Sequence, residues 1–188
     1  LIPCGGHIGA RLYPSEGPEG SPALLWDVCI EFEGFELDGV PFEAFILCDR
    51  IAWPMQDWRQ LAGQSLDLSG DDCEPTALFV QPLETDCDPY LAYRTRLEVG
   101  QRDGVHFPVT IRLDLDDEGE GLWQGTCLEC SLKLPFTGVA VISDDPRERP
   151  ASADEAAQRL SGIVALETLE APAPDALGFR LPPKLSTD

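Results

Sequence analysis

The chain has 188 residues, 43% of them hydrophobic and 25% charged, the size and balance of one domain that can bury a core without disulfides or metal. Asp and Glu number 34 against 13 Lys plus Arg, a formal charge of −21 that repels phosphate backbones and argues against nucleic acid as a partner. No apolar run approaches the ~18 residues of a membrane helix, so no membrane partner is expected.

The opening residues do not read as a secretory leader. Leu1–Cys4 has the outline of a lipoprotein processing box, but Pro3 stands where a small residue is wanted. Lys133 and Lys184 are the only lysines, Arg supplies the other basic side chains, and Asn is absent. A GC-rich genome produces that bias, so it reads as codon usage rather than function.

Residues 1–22 are rich in Gly and Pro, with room for one short strand near Ile8–Leu12. Leu24, Trp26, Val28, Ile30 and Phe32 then alternate with mostly polar neighbours, the period of a half-buried strand. Asp38–Gly39 supplies the two positive-φ positions of a tight hairpin, with Val40–Cys48 returning. A two-residue turn sets Phe32 opposite Phe45, Ile30 opposite Leu47 and Cys29 opposite Cys48. A bulge at Gly34 would shift that pairing by one.

Residues 54–63 read as a short helix opened by Pro54 and closed by Gly63. Strands follow at Ser65–Leu68 and Thr76–Val80. Around them lie two acidic turns, DDCEP and TDCDP, which carry Cys73 and Cys87.

The clearest pattern is a three-strand meander over residues 90–134. Leu91, Tyr93, Thr95, Leu97 and Val99 form one face of its first strand. Val105, Phe107, Val109, Ile111, Leu113 and Leu115 form the matching face of the second. Leu122, Gln124, Thr126, Leu128, Cys130, Leu132 and Leu134 form the third. Pairing Val99 with Val105, and Leu115 with Leu122, puts all three sets on one side. Thr137–Ile142 reads as a fourth strand. Ser152 and Glu155 form a capping box for a helix that ends at Gly162. IVALETL, 163–169, reads as a last strand. The fold expected is mainly β (α+β): an antiparallel sheet forming a sandwich or open barrel, with two short helices. One domain spans 1–170, and 171–188 is a Pro-rich extended tail.

Cys127 and Cys130 form a C-x-x-C pair, but in a strand residues three apart point to opposite faces. A zinc site would therefore have to draw on Cys4 and His7 of CGGH as well, giving Cys4, His7, Cys127 and Cys130. A buried Cys130 acting as a small hydrophobe is preferred, so no cofactor is expected and zinc is the exception to test. Seven cysteines without a dense framework fit a reducing, cytoplasmic compartment. Asp114, Asp116 and Glu118 imitate the start of a calcium loop, but Gly125 stands where the bidentate Glu belongs.

The polar face of the meander carries Arg94, Arg96, Arg112 and Lys133, with His106 and Trp123 among them. Arg suits forked recognition of carboxylates or phosphates, so this face is the candidate for a small anion or an acidic segment. The plainer reading is cross-strand ion pairing, such as Arg96 with Glu129. Asp71, Asp72, Asp86, Asp88, Asp116, Asp117, Glu118 and Glu120 are the candidate contacts to a basic partner. No nucleophile-elbow, phosphate-loop or metalloprotease motif is present. The function read from the sequence is non-enzymatic protein binding through an acidic surface, in the form of a bacterial inhibitor or immunity-type protein that blocks a basic partner. The alternatives are a small metal- or anion-dependent enzyme or ligand binder using the Arg94/Arg96/Arg112/His106 face, and a structural subunit of an assembly. The oligomeric state is not legible.

Overall fold

The computed structural model describes residues 1–14, 20–70, 76–82, 89–116 and 123–185. Over most segments where apolar and polar residues alternate, the chain extends and buries every second side chain. The strands are β1 (Pro3–Tyr13), β2 (Ala23–Phe32), β3 (Phe35–Leu37), β4 (Val40–Ile51), β5 (Ser65–Ser69), β6 (Thr76–Pro82), β7 (Tyr90–Val99), β8 (His106–Leu115), β9 (Cys127–Ile142), β10 (Ala173–Asp175) and β11 (Gly178–Leu181). Among the described residues, one α-helix, α1 (Ala153–Leu160), and 3-10 turns at Trp58–Leu61 and Leu166–Thr168 accompany them.

The hydrogen-bonded path runs β1-β2-β4-β6-β7-β8-β9-β11-β10, with β3 added to β4 and β5 to β7. Strand β9 also pairs with β1 in parallel, Ile8 with Phe136 and Ala10 with Val139, so the path returns to its start. The result is the expected mainly β, antiparallel, barrel-like sheet.

Its interior holds Ile8, Trp26, Val28, Ile30, Ile46, Leu97, Phe107, Ile111, Leu113 and Leu134, all at or near zero exposure. Each such large side chain contributes roughly 1.5–3 kcal/mol as an upper estimate. Trp58 stacks on Phe136, ring centroids 5.3 Å apart, and meets Phe107 edge-on at 6.1 Å. Its Nε1 donates to the Thr168 carbonyl at 3.0 Å, tying the first 3-10 turn to the second.

Several expectations about elements change. The Asp38–Gly39 turn forms, with φ of 53° and 79°, and sets Leu37 opposite Val40. Beyond it, the Glu33–Gly34 break inserts one extra residue, so Cys29 lies opposite Leu47 and Cys48 opposite Val28. The Cys29/Cys48 juxtaposition is thus replaced by the shifted register, and the two are not joined in a disulfide. Cys48 Sγ instead sits 3.0 Å from Thr76 Oγ1.

In β7 the register shifts between Ala92 and Arg94. Ala92 turns inward, while Leu91 and Tyr93, expected in the core, are 49% and 52% exposed.

The meander forms with different partners. Val99 faces Val109, not Val105, and Phe107 faces Leu134. Each strand is displaced by an even number of residues, which keeps side chains on their expected faces. The cause lies in the turns: Asp103 and His106 close the first in a tight pair, and Gly125, at φ 60°, delays β9 until Cys127. Thr137–Ile142 is not a separate strand but the second half of β9. Pro135 falls opposite His106, the last β8 partner, where β9 passes from β8 to β1 and its missing N–H costs no ladder bond.

The expected helix at 54–63 shrinks to the single 3-10 turn, capped by the Asp57 carboxylate accepting from Arg59 N. Helix α1 forms as expected, with Ser152 Oγ accepting from Glu155 N at 3.2 Å and Glu155 Oε2 accepting from Ala151 N at 2.8 Å. The expected strand at 163–169 is instead the second 3-10 turn. Beyond it, β10 and β11 form a hairpin, and β11 pairs with the end of β9.

Candidate functional site

Strand alternation turns Arg94, Arg96 and Arg112 outward on the sheet formed by β5, β7, β8 and β9. Pairing sets them in two rows. The first runs Asp67, Arg96, Arg112, Glu129 across the four strands. The second runs Ser69, Arg94, Asp114, Cys127. Two guanidinium groups therefore stand side by side between flanking carboxylates.

Asp67 serves two of them, accepting from Arg94 Nε and Nη2 at 3.3 Å and from Arg96 Nη2 at 2.9 Å. These hydrogen bonds hold the Asp67 carboxyl below the ordinary carboxylate range. Arg112 is held more loosely, 3.4 Å from Asp114 and 3.7 Å from Glu129. Arg94, Arg96, Arg112 and Asp114 line a cleft of about 190 Å³. The expected Arg96–Glu129 pair is not formed, because Arg112 stands between them.

The remaining residues expected on this face lie elsewhere. Lys133 bonds Asp103 at 2.5 Å, and His106 pairs with Asp103 in the same turn. Trp123 lines a separate apolar cavity of about 310 Å³ with Leu1, Ile2, Glu33, Gly34 and Phe35. Asp67 is the participant that sequence reasoning missed. Its signal was available, since SLDLS alternates like an edge strand with Asp67 outward.

The four zinc candidates are dispersed. Cys4 and His7 lie on β1, and β1 meets β9 only from Phe136 onward, well past Cys127 and Cys130. Cys4 Sγ donates to the Glu31 carbonyl at 3.6 Å, and His7 Nε2 lies 3.4 Å from Asp27. Cys127 is exposed opposite Asp114, while Cys130 packs against the core opposite Ile111. Burial, then the charge of Glu129, pushes the Cys130 thiol up to about 11. No group of three or more His, Cys, Asp or Glu among the described residues is set to hold a metal ion. CGGH has a backbone explanation. Gly6 has φ 129°, and a Cβ there would overlap the Cys29 carbonyl oxygen.

Of the acidic loop candidates, Asp116 is described, its backbone N donating to the Leu91 carbonyl. Asp71, Asp72, Asp86, Asp88, Asp117, Glu118 and Glu120 lie outside the described residues, as do Cys73 and Cys87.

A second acidic surface was not singled out from the sequence. Outward residues of β2, β4 and β6 set Glu31 opposite Phe45 and Phe45 opposite Phe79. The two rings stack at 4.6 Å. Glu43 accepts from Gln81 Nε2 at 2.9 Å. Beside them opens a cavity of about 410 Å³ lined by Cys4, Cys29, Glu31, Glu43 and Phe45, with Phe32 and Ala44 as its floor. Its sequence signal is the absence of any Lys or Arg between Arg11 and Arg50.

Comparison with protein-family models, with curated proteins and with solved structures finds no match. Among the described residues, no helix is long and apolar enough to cross a membrane.

Proposed function

We propose that the protein is a non-enzymatic binding module that engages a basic protein through the acidic face of β2, β3 and β4. The supporting observation is that Glu31, Glu33, Glu36 and Glu43 make no ion pair with a described residue, yet stand beside accessible apolar groups. The Phe45–Phe79 stack offers an aromatic face that an arginine or lysine can cover. Carboxylates around an apolar centre speed encounter with a cationic surface and exclude acidic competitors. One form of this reading is a bacterial inhibitor or immunity-type protein that blocks its partner.

The test is a pull-down from native lysate at low and moderate salt, with wild-type protein and an E31Q/E36Q/E43Q variant, read by mass spectrometry. A basic protein recovered stoichiometrically by the wild type at low salt, and lost both on raising salt and in the variant, is the expected result. Equal recovery by the variant would sink this face as the binding surface.

A further inference from the structure

We propose that the cleft between β7 and β8 is a binding site for a small multivalent oxyanion, held by the forks of Arg94, Arg96 and Arg112. This goes beyond the acidic face, from which it is independent.

Internal pairing satisfies this cluster of arginines only in part. Arg96 and Arg112 are direct cross-strand partners, and like charges in that position repel. Each Arg has a carboxylate as a cross-strand neighbour, Asp67 for Arg96, Asp114 for Arg94 and Glu129 for Arg112, yet the ion pairs do not follow that pairing. Here one carboxylate, Asp67, is divided between Arg94 and Arg96, and Arg112 has only long contacts.

Each guanidinium carries five N–H donors. Two nitrogens of Arg94, two of Arg96 and one of Arg112 donate within the protein. Most of the donors therefore have no acceptor among the described residues. The cleft they line is about 190 Å³, with Asp114 the one carboxylate in its wall among the described residues. That volume suits a phosphate or a small polycarboxylate, and planar forks match such oxygens two at a time.

Three guanidinium forks around one cleft suit a ligand with more than one charge, although the protein's −21 repels anions at long range. At 0.15 M salt the Debye length is about 8 Å, so remote carboxylates are screened while contacts in the cleft persist. Asp67 is the internal competitor. An oxyanion bound to Arg94 and Arg96 takes over hydrogen bonds that Asp67 now accepts.

The experiment is titration of the full chain with inorganic phosphate and, separately, citrate, at constant 0.15 M ionic strength, followed by calorimetry and NMR amide shifts. Saturable binding of either is expected, with shifts centred on β7 and β8. Preference for phosphate would identify a compact oxyanion site, and preference for citrate a polycarboxylate site. Arg96→Gln and Arg112→Gln should each weaken binding by about tenfold or more, a loss of about 1.4 kcal/mol. Asp67→Asn should strengthen it, which a merely structural role would not produce. The arginine side chains are about half exposed, so thermal melts should show both variants folded. No saturation by either anion would overturn the proposal. So would equal affinity in the Arg variants, or weaker binding in Asp67→Asn.

Discussion

Thr95 is an inward-facing residue of β7 with zero exposure, and its Oγ1 meets no hydrogen-bond partner among the described residues. A buried hydroxyl left unpaired loses its water without compensation, at a cost of about 1–3 kcal/mol. Thr95→Val keeps the shape and removes the polar atom. It should raise stability by about 1 kcal/mol in denaturant titration. A loss of stability would mean that the hydroxyl does find a partner, such as an internal water. The sequence put Thr95 on the core face correctly, because alternation decides direction. It carried no sign that the hydroxyl lacks an acceptor, since that depends on which carbonyls the neighbouring strands present. For the cysteines, alternation already separated Cys127 from Cys130 despite the metal-clamp spacing of C-x-x-C, whereas the partners of Cys29 and Cys48 depended on register. Burial, followed by the nearby carboxylates Glu31 and Asp27, likewise pushes the Cys29 thiol up to about 11.

At the scale of elements, alternation was readable and register was not. The faces of β8 and β9 emerge as expected while every partner is displaced, because hairpin register is set by loop geometry that side-chain pattern leaves open. One inserted residue at Glu33–Gly34 and one near Tyr93 each reversed part of a pairing. Helical segments fared similarly. The Ser152/Glu155 box specifies its helix locally, whereas residues 54–63 are drawn into a single turn by the burial of Trp58 and Leu61. The C-terminal hairpin depends on a pair that can be titrated. Asp175 Oδ2 accepts from Arg180 Nε at 2.9 Å, and this bond holds the Asp175 carboxyl below its ordinary value. A carboxyl lowered on folding contributes stability above its unfolded pKa, about 3.9, and loses it as pH falls through the folded value. Asp175→Asn should therefore be less stable than wild type at pH 6, with the gap closing well below pH 4. A gap of equal size at both pH values would assign the difference to packing.

For the whole molecule, charge is the dominant feature. The ion pairs of the described residues are mostly exposed, and pairs of that kind are worth ~0–1 kcal/mol each. The net −21 is spread over a protein of 20.5 kDa, so mutual repulsion should outweigh them. Raising NaCl from 10 to 150 mM shortens the Debye length from about 30 to about 8 Å and should raise Tm. A fall in Tm would show that cross-strand pairs such as Arg96–Asp67 outweigh the repulsion. The candidate sites follow the same division between scales. Composition announced an acidic molecule, and alternation put Arg94, Arg96 and Arg112 on one face. The cleft needs Asp67 from β5, which only the long-range pairing of β5 with β7 supplies. His106 and Lys133 share the parity of that face but sit at another height along the sheet, a coordinate that parity does not contain, and Trp123 lies in the turn before β9.

The parallel pairing of β1 with β9 has a consequence for synthesis. Ile8 leaves the ribosome long before its partner Phe136. At about 5–20 residues per second the delay is on the order of ten seconds. Throughout it, the growing chain holds an open strand edge that could pair with another nascent copy. The Lys- and Arg-free run between Arg11 and Arg50 emerges during this interval, carrying like charge on every copy. Mutual repulsion between neighbouring nascent chains would then protect the unfinished barrel until its closing strand arrives.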